Sequence, residues 1–197
     1  LTALGRVYIT ATGSGSFTFD GDCPPQSPKL SSGFLIWFDT AFKCKAATIF
    51  DGGATGSTEA NAVGVHGEDA IVSAGFFGDV TVAGTKITSS MPTTTELLVA
   101  QLKPPANLLG YHHPKEFATP AALLVHDNSA WYGNSNFVRR LTLPLGHQAL
   151  AEDVLSLSWA TVAAILANGD GVVIAGRYAT ATSTLGGHAL TPYAGSQ

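Results

Sequence analysis

Short apolar runs separated by glycine, asparagine and aspartate recur along the entire chain. Four runs of β-branched or aromatic residues end near a small residue, and the spacings between their last residues are 64, 58 and 43 positions. Runs of this composition, bounded by turn residues, predict β-strands. The four runs occupy positions 7–11, 71–75, 129–133 and 172–176.

The segments around these runs repeat as well. A short apolar run that ends in a hairpin-type turn, such as Asn168-Gly169, stands before three of them, and a dense apolar run follows three. Dense runs of this kind predict strands buried on both faces. The preceding runs lie at 62–66, 122–126 and 163–167, the following runs at 34–38, 97–102 and 154–159, and two linking runs at 48–50 and 108–111.

A glycine-bounded excursion completes the repeat. Residues 15–21 and 78–84 alternate apolar with small or polar side chains between two glycines, which predicts a short half-buried strand with a turn at each end. Residues 146–150 and 187–190 occupy the corresponding loop of the later units. One unit is therefore predicted as strand, turn, strand, excursion, strand and linking strand.

A four-stranded antiparallel unit with this recurrence predicts a propeller blade, because one such unit cannot bury both of its faces alone. The expected fold is all-β: one β-propeller-like domain of about three to four blades, incomplete or closed by another chain or segment. Unit one lacks its first strand, unit three its linking strand, and unit four ends after its excursion. The units span residues 1–58, 59–118, 119–160 and 161–197.

Two alternatives to this fold stay open. The repeats also fit a looser β-sandwich. Residues 151–167 also fit a helix, because Glu152 and Asp153 would lie in its first turn and alanine and leucine follow.

Three stretches of unit two carry a resemblance to a known family. They are Glu-Ala-Asn-Ala-Val-Gly-Val at 59–65, Asp-Ala-Ile-Val-Ser-Ala-Gly at 69–75 and Glu-Leu-Leu-Val-Ala-Gln-Leu at 96–102. In these stretches the chain resembles the β-propeller repeat family found in secreted bacterial proteins. The resemblance implies a propeller fold and no fixed catalytic residue.

Composition narrows the classes of partner. The chain of 197 residues has 10 Lys and Arg against 14 Asp and Glu, and charged residues make up only 12%. So few cations predict no nucleic-acid partner. No apolar window reaches the length of a membrane-spanning helix, so no membrane span is expected. The start at Leu1 predicts a processed chain or part of a longer polypeptide.

Cys23 and Cys44 are the two cysteines of the chain. An even count in a chain rich in Gly, Ser and Thr favours a disulfide and an oxidising compartment, hence an extracellular or cell-surface location. A bridge closing about 22 residues would stabilise the fold by roughly 3 kcal/mol. The alternative is two unpaired buried thiols.

The histidines do not assemble a catalytic or metal motif. Adjacent His112 and His113 would point to opposite faces of a strand, which disfavours one shared ligand. The pairs His66 and His126, and His147 and His188, occupy equivalent repeat positions, which blade similarity explains. We therefore predict no catalytic residue, no metal ligand and no cofactor.

One short stretch suggests ligand recognition. Trp131 and Tyr132 stand beside Asn134 and Asn136, and sugar sites combine aromatic rings with amides that bond hydroxyl groups. The alternative is an aromatic packed between blades beside a polar turn. We treat these four residues as a tentative ligand-binding set.

The predicted function is a secreted or cell-surface structural or interaction module without catalytic activity. Its partner would be a protein or a glycan, and self-assembly or another part of the same precursor would serve equally. The alternatives are a carbohydrate-binding propeller, or the non-catalytic propeller portion of a larger extracellular enzyme.

Overall fold

A computed structural model gives the fold of the chain and shows antiparallel sheets. It describes residues 2–3, 5–16, 18–28, 30–91, 93–104, 107–116, 122–134, 136–158, 160–169, 171–178, 184–185 and 188–189. Within these residues the regular structure is all strand and contains no helix. The strands are β1 (Thr2–Ala3), β2 (Arg6–Gly13), β3 (Ser32–Phe38), β4 (Cys44–Asp51), β5 (Ser57–His66), β6 (Asp69–Phe77), β7 (Val80–Val82), β8 (Thr85–Ile87), β9 (Glu96–Lys103), β10 (Asn107–His112), β11 (Ala122–His126), β12 (Ser129–Gly133), β13 (Phe137–Thr142), β14 (Glu152–Ser158), β15 (Ala160–Asn168), β16 (Gly171–Tyr178), β17 (Thr184–Leu185) and β18 (His188–Ala189).

These strands form four antiparallel sheets that follow one another along the chain, and none of them closes into a barrel. The first sheet has the order β1-β2-β3-β4-β7-β8, and the second has the order β10-β9-β6-β5. The third sheet has the order β11-β12-β13-β14-β17-β18, and the fourth consists of β15 and β16. The predicted all-β class is confirmed.

The predicted repeat unit is clearest in the second sheet. Strands β5, β6, β9 and β10 pair in that order with the expected turn at Gly67 between the first two. The excursion between β6 and β9 forms the hairpin β7–β8, which pairs with β4 of the first sheet instead of its own sheet. This excursion hairpin therefore connects unit two to unit one.

The fourth unit repeats this behaviour. Its excursion forms the hairpin β17–β18, which pairs with β14 of the third sheet. Its first two strands also carry the same irregularity as those of unit two. The pairing shifts between Ala60 and Ala62 in β5, and between Val162 and Ala164 in β15. The two units thus share register as well as sequence pattern.

The core lies between successive sheets, which pack face to face in chain order. Alternate residues of β6 point to opposite neighbours. Val72 and Phe76 belong to a buried cluster with Tyr8 and Phe50 of the first sheet, whereas Ile71 belongs to a cluster with strands of the third sheet. The second sheet is therefore buried on both faces, as its dense apolar runs predicted.

The third sheet packs on the fourth in the same way. Val138 of β13 shares a buried cluster with Val162 and Ile165 of β15 and with Ile174 of β16. Close approach between sheets is helped by small residues. At Gly64 of β5 a Cβ atom would lie 2.3 Å from the Val125 side chain, so any larger residue would push the second and third sheets apart.

Several details of the predicted repeat are wrong. Residues 152–158 and 160–168 are strands, so the helix alternative over 151–167 fails. Unit three does not lack a linking strand: Phe137–Thr142 is its third strand, and the run at 154–158 belongs to the fourth. The sequence pattern missed β13 because Arg139 and Arg140 interrupt its apolar residues.

The excursions of units one and three also differ from the prediction. The described residues of 15–21 form no strand, and among them only Gly21 makes an isolated bridge, to Cys44. Residues 146–150 are the loop between β13 and β14. Unit one does have a first strand, although β1 is only two residues long.

The outer face of the first sheet is covered by the loop between β2 and β3. Cys23 in this loop is joined by a disulfide to Cys44 of β4, as predicted, with the Cα atoms 5.6 Å apart. The two cysteines pack with Phe34 and Ile36, and Phe19 packs edge-to-face on Phe38. The loop backbone is also hydrogen-bonded to Cys44. The Asp22 N–H donates to the Cys44 carbonyl, and the Cys44 N–H donates to the Asp20 carbonyl.

Candidate interaction surface

The fourth sheet ends the stack with one face uncovered, and the outer edge of its second strand, β16, is unpaired in the described part of the chain. Strand β16 pairs with β15 along its inner edge, from Gly171 opposite Asn168 to Tyr178 opposite Ala160. In the described part of the chain no strand pairs with its outer edge. In each of the other three sheets that edge of the second strand carries a third strand: β3 on β2, β9 on β6 and β13 on β12.

The uncovered face consists of positions that are buried or partly buried in the other sheets. Strand pairing makes Val173 of β16 equivalent to Ile71 of β6 and to Trp131 of β12, each two residues after the start of its strand. Ile71 is 0% exposed between sheets, whereas Val173 is 46% exposed. Its cross-strand partner Leu166 is 57% exposed. The fourth sheet therefore presents to solvent the face that the other sheets cover.

The edge of β16 has little that would discourage pairing. Residues 172–175 are Val, Val, Ile and Ala, and Arg177 is the one charged residue of the strand. Natural sheets blunt exposed edges with short strands, charges, prolines or bulges. The outermost strand of the first sheet fits that rule, because β8 has three residues and includes Lys86. Strand β16 has eight residues and no bulge on this edge.

Side-chain contacts at the hairpin turns join each sheet to the next. The Tyr8 hydroxyl donates to the Glu68 carbonyl at 3.1 Å. The Nε2 atom of His66 lies 3.1 Å from Asn128 Oδ1, and that of His126 lies 3.0 Å from the Gly169 carbonyl. His66 and His126 are thus repeat-equivalent as predicted, and each contacts the turn of the following unit.

The tentative ligand-binding residues do not share one surface. Trp131 and Tyr132 are adjacent on β12, so their side chains point to opposite faces. Trp131 packs towards the fourth sheet, with the Arg140 guanidinium 5.6 Å from its ring centre. Tyr132 is fully buried in the cluster shared with the second sheet.

The two asparagines serve the turn between β12 and β13. Asn134 is buried, and its Oδ1 accepts hydrogen bonds from the Asn136 N–H at 2.7 Å and from the Phe137 N–H at 3.1 Å. The Asn136 carbonyl accepts from the Leu157 N–H at 2.7 Å. Asn136 is exposed, but the aromatic rings lie elsewhere, so the four residues form no stacking platform for a sugar.

His112 and His113 take separate structural roles. The Nδ1 atom of His112 lies 2.6 Å from the Ala149 carbonyl and donates to it, so Nε2 accepts the Tyr132 hydroxyl at 2.8 Å. Burial lowers the pKa of His112 and raises that of Tyr132, so both are neutral at neutral pH. Nδ1 of His112 therefore fixes the loop before β14, and Nε2 fixes the Tyr132 hydroxyl of β12.

A cleft of about 280 Å³ opens beside this loop. Its exposed lining is mostly apolar, and the polar atoms of His112 are already bonded within the protein. The edge-to-face contact between Tyr111 and His147, with ring centres 5.1 Å apart, forms part of the same loop packing. His188 lies on strand β18 of an excursion hairpin, whereas His147 lies in the loop between β13 and β14. The predicted equivalence of His147 and His188 is therefore wrong. The cleft is lined by Tyr111, His112, His113, Pro114, Lys115, Gln148, Ala149 and Leu150.

Glu96 is a buried carboxylate at the start of β9. It accepts hydrogen bonds from the Ser89 hydroxyl, from the Ser90 hydroxyl at 2.9 Å and from the Met91 N–H at 2.6 Å, and it pairs with His113 Nε2. Burial by itself raises the pKa of Glu96, but the bonds from Ser89, Met91 and His113 outweigh it, and the pKa is lowered. Glu96 thereby ties two loops to the second sheet.

The described residues contain no group of three His, Cys, Asp or Glu side chains placed to hold a metal ion. They also contain no helix that is long and apolar enough to cross a membrane. Sequence reasoning did not single out the β16 edge, although the equivalence of 71–75 with 172–176 was visible.

Comparison with known proteins leaves the family open. No protein-family model, curated protein or solved structure matches the chain. The likeness to the secreted β-propeller repeat family therefore remains a prediction from the sequence.

Proposed function

We propose that the chain is a non-catalytic structural or interaction module that assembles with another protein through its fourth sheet. The observation that carries this proposal is the exposure of Leu166 and Val173 at positions whose equivalents are buried or partly buried between sheets. An apolar, regular surface that the fold elsewhere covers with another sheet is typical of a protein interface.

The two ends of the stack of sheets differ, and this difference supports assembly at the fourth sheet. The outer face of the first sheet is covered by its own disulfide-linked loop, whereas the described residues place nothing over the outer face of the fourth. Terminal repeats of such arrays need a cap with a polar outer face for solubility, so an uncapped apolar face favours a partner at that end. Under this proposal the sheets are blades of a propeller-like array that is completed by its partner.

An extracellular or cell-surface setting is part of the proposal. The Cys23–Cys44 disulfide fixes the loop that covers the first sheet, and a disulfide of this kind persists in an oxidising compartment. Ion pairs beside it add to the attachment, including Lys45 with Asp22 at 2.8 Å and with Asp39 at 3.5 Å.

Sedimentation of the purified chain tests the proposal. Without its partner, the exposed face should cause concentration-dependent association above the 20.3 kDa monomer. The double variant Leu166→Lys/Val173→Lys should stay monomeric, because the added charges oppose burial of the face. Leu150→Lys is the matched control, since Leu150 is 91% exposed in a loop outside the sheet.

Two outcomes would contradict the proposal. One is a wild-type chain that sediments as a monomer at every concentration, as the double variant does. The other is an association that persists in the double variant and is lost in Leu150→Lys, which would place the interface at the loop.

A further inference from the structure

The fourth sheet differs from the other three sheets at the outer edge of β16. In the second sheet, β9 runs antiparallel along this edge of β6, with Leu102 opposite Ala70 and Glu96 opposite Phe76. In the first and third sheets, β3 and β13 take the same place. A third strand follows the same rule in three of four units, whereas the described residues of the fourth unit place none there. The other three units therefore define where a strand on the β16 edge would lie and in which direction it would run.

The strands that fill this position are apolar on both faces. In β9, Leu98 and Ala100 face the first sheet, whereas Leu97 and Val99 face the third. The same alternation in β3 places Leu35 towards the second sheet and Phe34 and Ile36 towards the disulfide loop. An occupant of the β16 edge would therefore need an extended segment with apolar side chains on both sides.

The third sheet supplies the surface beneath this position. Third strands stack on each other between the second and third sheets, where Val99 of β9 and Leu141 of β13 share a cluster. By the same stacking, a third strand of the fourth sheet would lie over β13 and β14. Val138 of β13 and the half-buried Leu155 and Leu157 of β14 face that way, in the cluster that contains Ile174.

The position of the third sheet beneath the β16 edge favours a single strand over a second copy of the chain as the occupant of that edge. Edge-to-edge pairing of two β16 strands about a two-fold axis would place the third sheets of both copies on the same side of the joined sheet. Strands β13 and β14 of the first copy already occupy that side. A single extended segment has no sheet behind it and meets no such obstruction.

We infer that the partner of the fourth sheet donates one extended apolar strand, antiparallel to β16, in the register that β9 adopts on β6. This inference rests on the proposed function, since it names what the partner contributes to the same surface. Main-chain hydrogen bonds to the β16 edge would give affinity, and alternate side chains over β14 and on the open face would give selectivity.

Register-specific disulfide capture tests the inference on the full chain. Ser73 pairs with Val99 in the second sheet, and Ala175 stands at the position of Ser73. The variant Ala175→Cys is therefore incubated in a thiol–disulfide buffer with a synthetic peptide of residues 96–103 that carries Val99→Cys. We expect the mixed disulfide to form at least about tenfold faster than with the same peptide carrying Ala100→Cys, whose thiol would point to the opposite face.

The control protein is Ala163→Cys, which places an exposed thiol on β15, away from the outer edge of β16. It should react with the two peptides at equal rates. A peptide of residues 96–103 with Leu98→Pro in addition to Val99→Cys should lose the preference, because proline removes a main-chain donor.

Equal rates for both peptides on Ala175→Cys would overturn the inference. Rapid formation of an Ala175→Cys homodimer that excludes the peptide would also overturn it, because a second copy would then occupy the edge. If the peptides show no preference while Leu166→Lys/Val173→Lys still abolishes association in sedimentation, the proposed function stands without the strand donor. If the wild-type chain does not associate either, both fail.

Discussion

The second and fourth sheets are built from the same repeat but differ in what surrounds them. Both begin with a hairpin that has the same turn position and the same shift in pairing, at Ala60/Ala62 and at Val162/Ala164. The second sheet gains a third and a fourth strand and is buried on both faces. The fourth has two described strands and one buried face. Local sequence therefore determines the hairpin, whereas burial of the outer face depends on a neighbouring sheet.

The largest expected difference is between Ile71→Asp and Val173→Asp. Ile71 is fully buried between sheets, so an unpaired carboxylate there should cost about 4 kcal/mol or more of unfolding free energy. Val173 is the equivalent residue on the open face, and its substitution should cost no more than about 1 kcal/mol. Urea unfolding measures both.

If Ile71→Asp does not fold, the pair Ile71→Ala and Val173→Ala keeps the comparison measurable, with a loss of about 3 kcal/mol expected for the first alone. Equal losses at the two positions would show that Val173 is packed as deeply as Ile71. The contrast between the two sheets would then disappear.

Removal of the disulfide should make the first sheet resemble the fourth. Cys23→Ser/Cys44→Ser should lower the unfolding free energy by roughly 3 kcal/mol, because the unfolded chain regains the freedom of the closed loop. The loop should also lift from Phe34 and Ile36, which increases binding of a hydrophobic dye. Unchanged dye binding with unchanged stability would mean that the loop covers the first sheet without the bridge.

Glu96→Gln should weaken the second sheet and leave the fourth unchanged. The amide keeps the shape but loses the charge that four donors surround, at a cost of about 2 kcal/mol. Because the pKa of Glu96 is lowered below 4.5 in the folded chain, its stabilisation is present above 4.5 and is lost as the pH falls through the folded value. Acid unfolding curves should therefore be flatter below pH 4.5 in Glu96→Gln, and identical slopes would contradict the role of this carboxylate.

His112 should give a smaller effect at milder pH. Burial lowers its pKa below 6.5, so the unfolded chain binds a proton first as the pH falls. Stability should fall from pH 6.5 down to the folded pKa, and His112→Gln should remove that slope. The tyrosine fluorescence of the second–third sheet interface, where Tyr132 lies, reports the change. A slope that survives the substitution would assign it to another histidine.

The fold was largely predictable and the interaction surface was not. Strand runs such as 71–75 and 97–102 were visible because β-branched and apolar residues concentrate where a sheet is buried on both faces. Strand β13 was missed because Arg139 and Arg140 lie on its partly exposed positions, where Arg139 bonds Glu116 at 2.9 Å and Arg140 pairs with Glu152. The tentative set at Trp131 and Tyr132 paired residues that strand geometry separates onto opposite faces.

The local sequence pattern does not predict which sheet faces are covered by another sheet. Val173 and Ile71 are both apolar residues at the same place in the repeat, and only the packing of sheets distinguishes 46% from 0% exposure. Likewise, residues 15–21, just before Cys23, were predicted to form a short half-buried strand like residues 78–84. The disulfide instead holds the loop between β2 and β3 over the first sheet.

Amide hydrogen exchange of the free chain tests the central claim most directly, by comparing β6 with β16. The account predicts strong protection throughout Ala70–Phe76, because both edges of β6 are paired. Along Val172–Arg177 it predicts protection only at alternate amides, those that bond to β15, with fast exchange at the amides on the outer edge. Uniform protection of β16 equal to that of β6 would contradict the account, because it would show that the edge is already filled in the isolated protein.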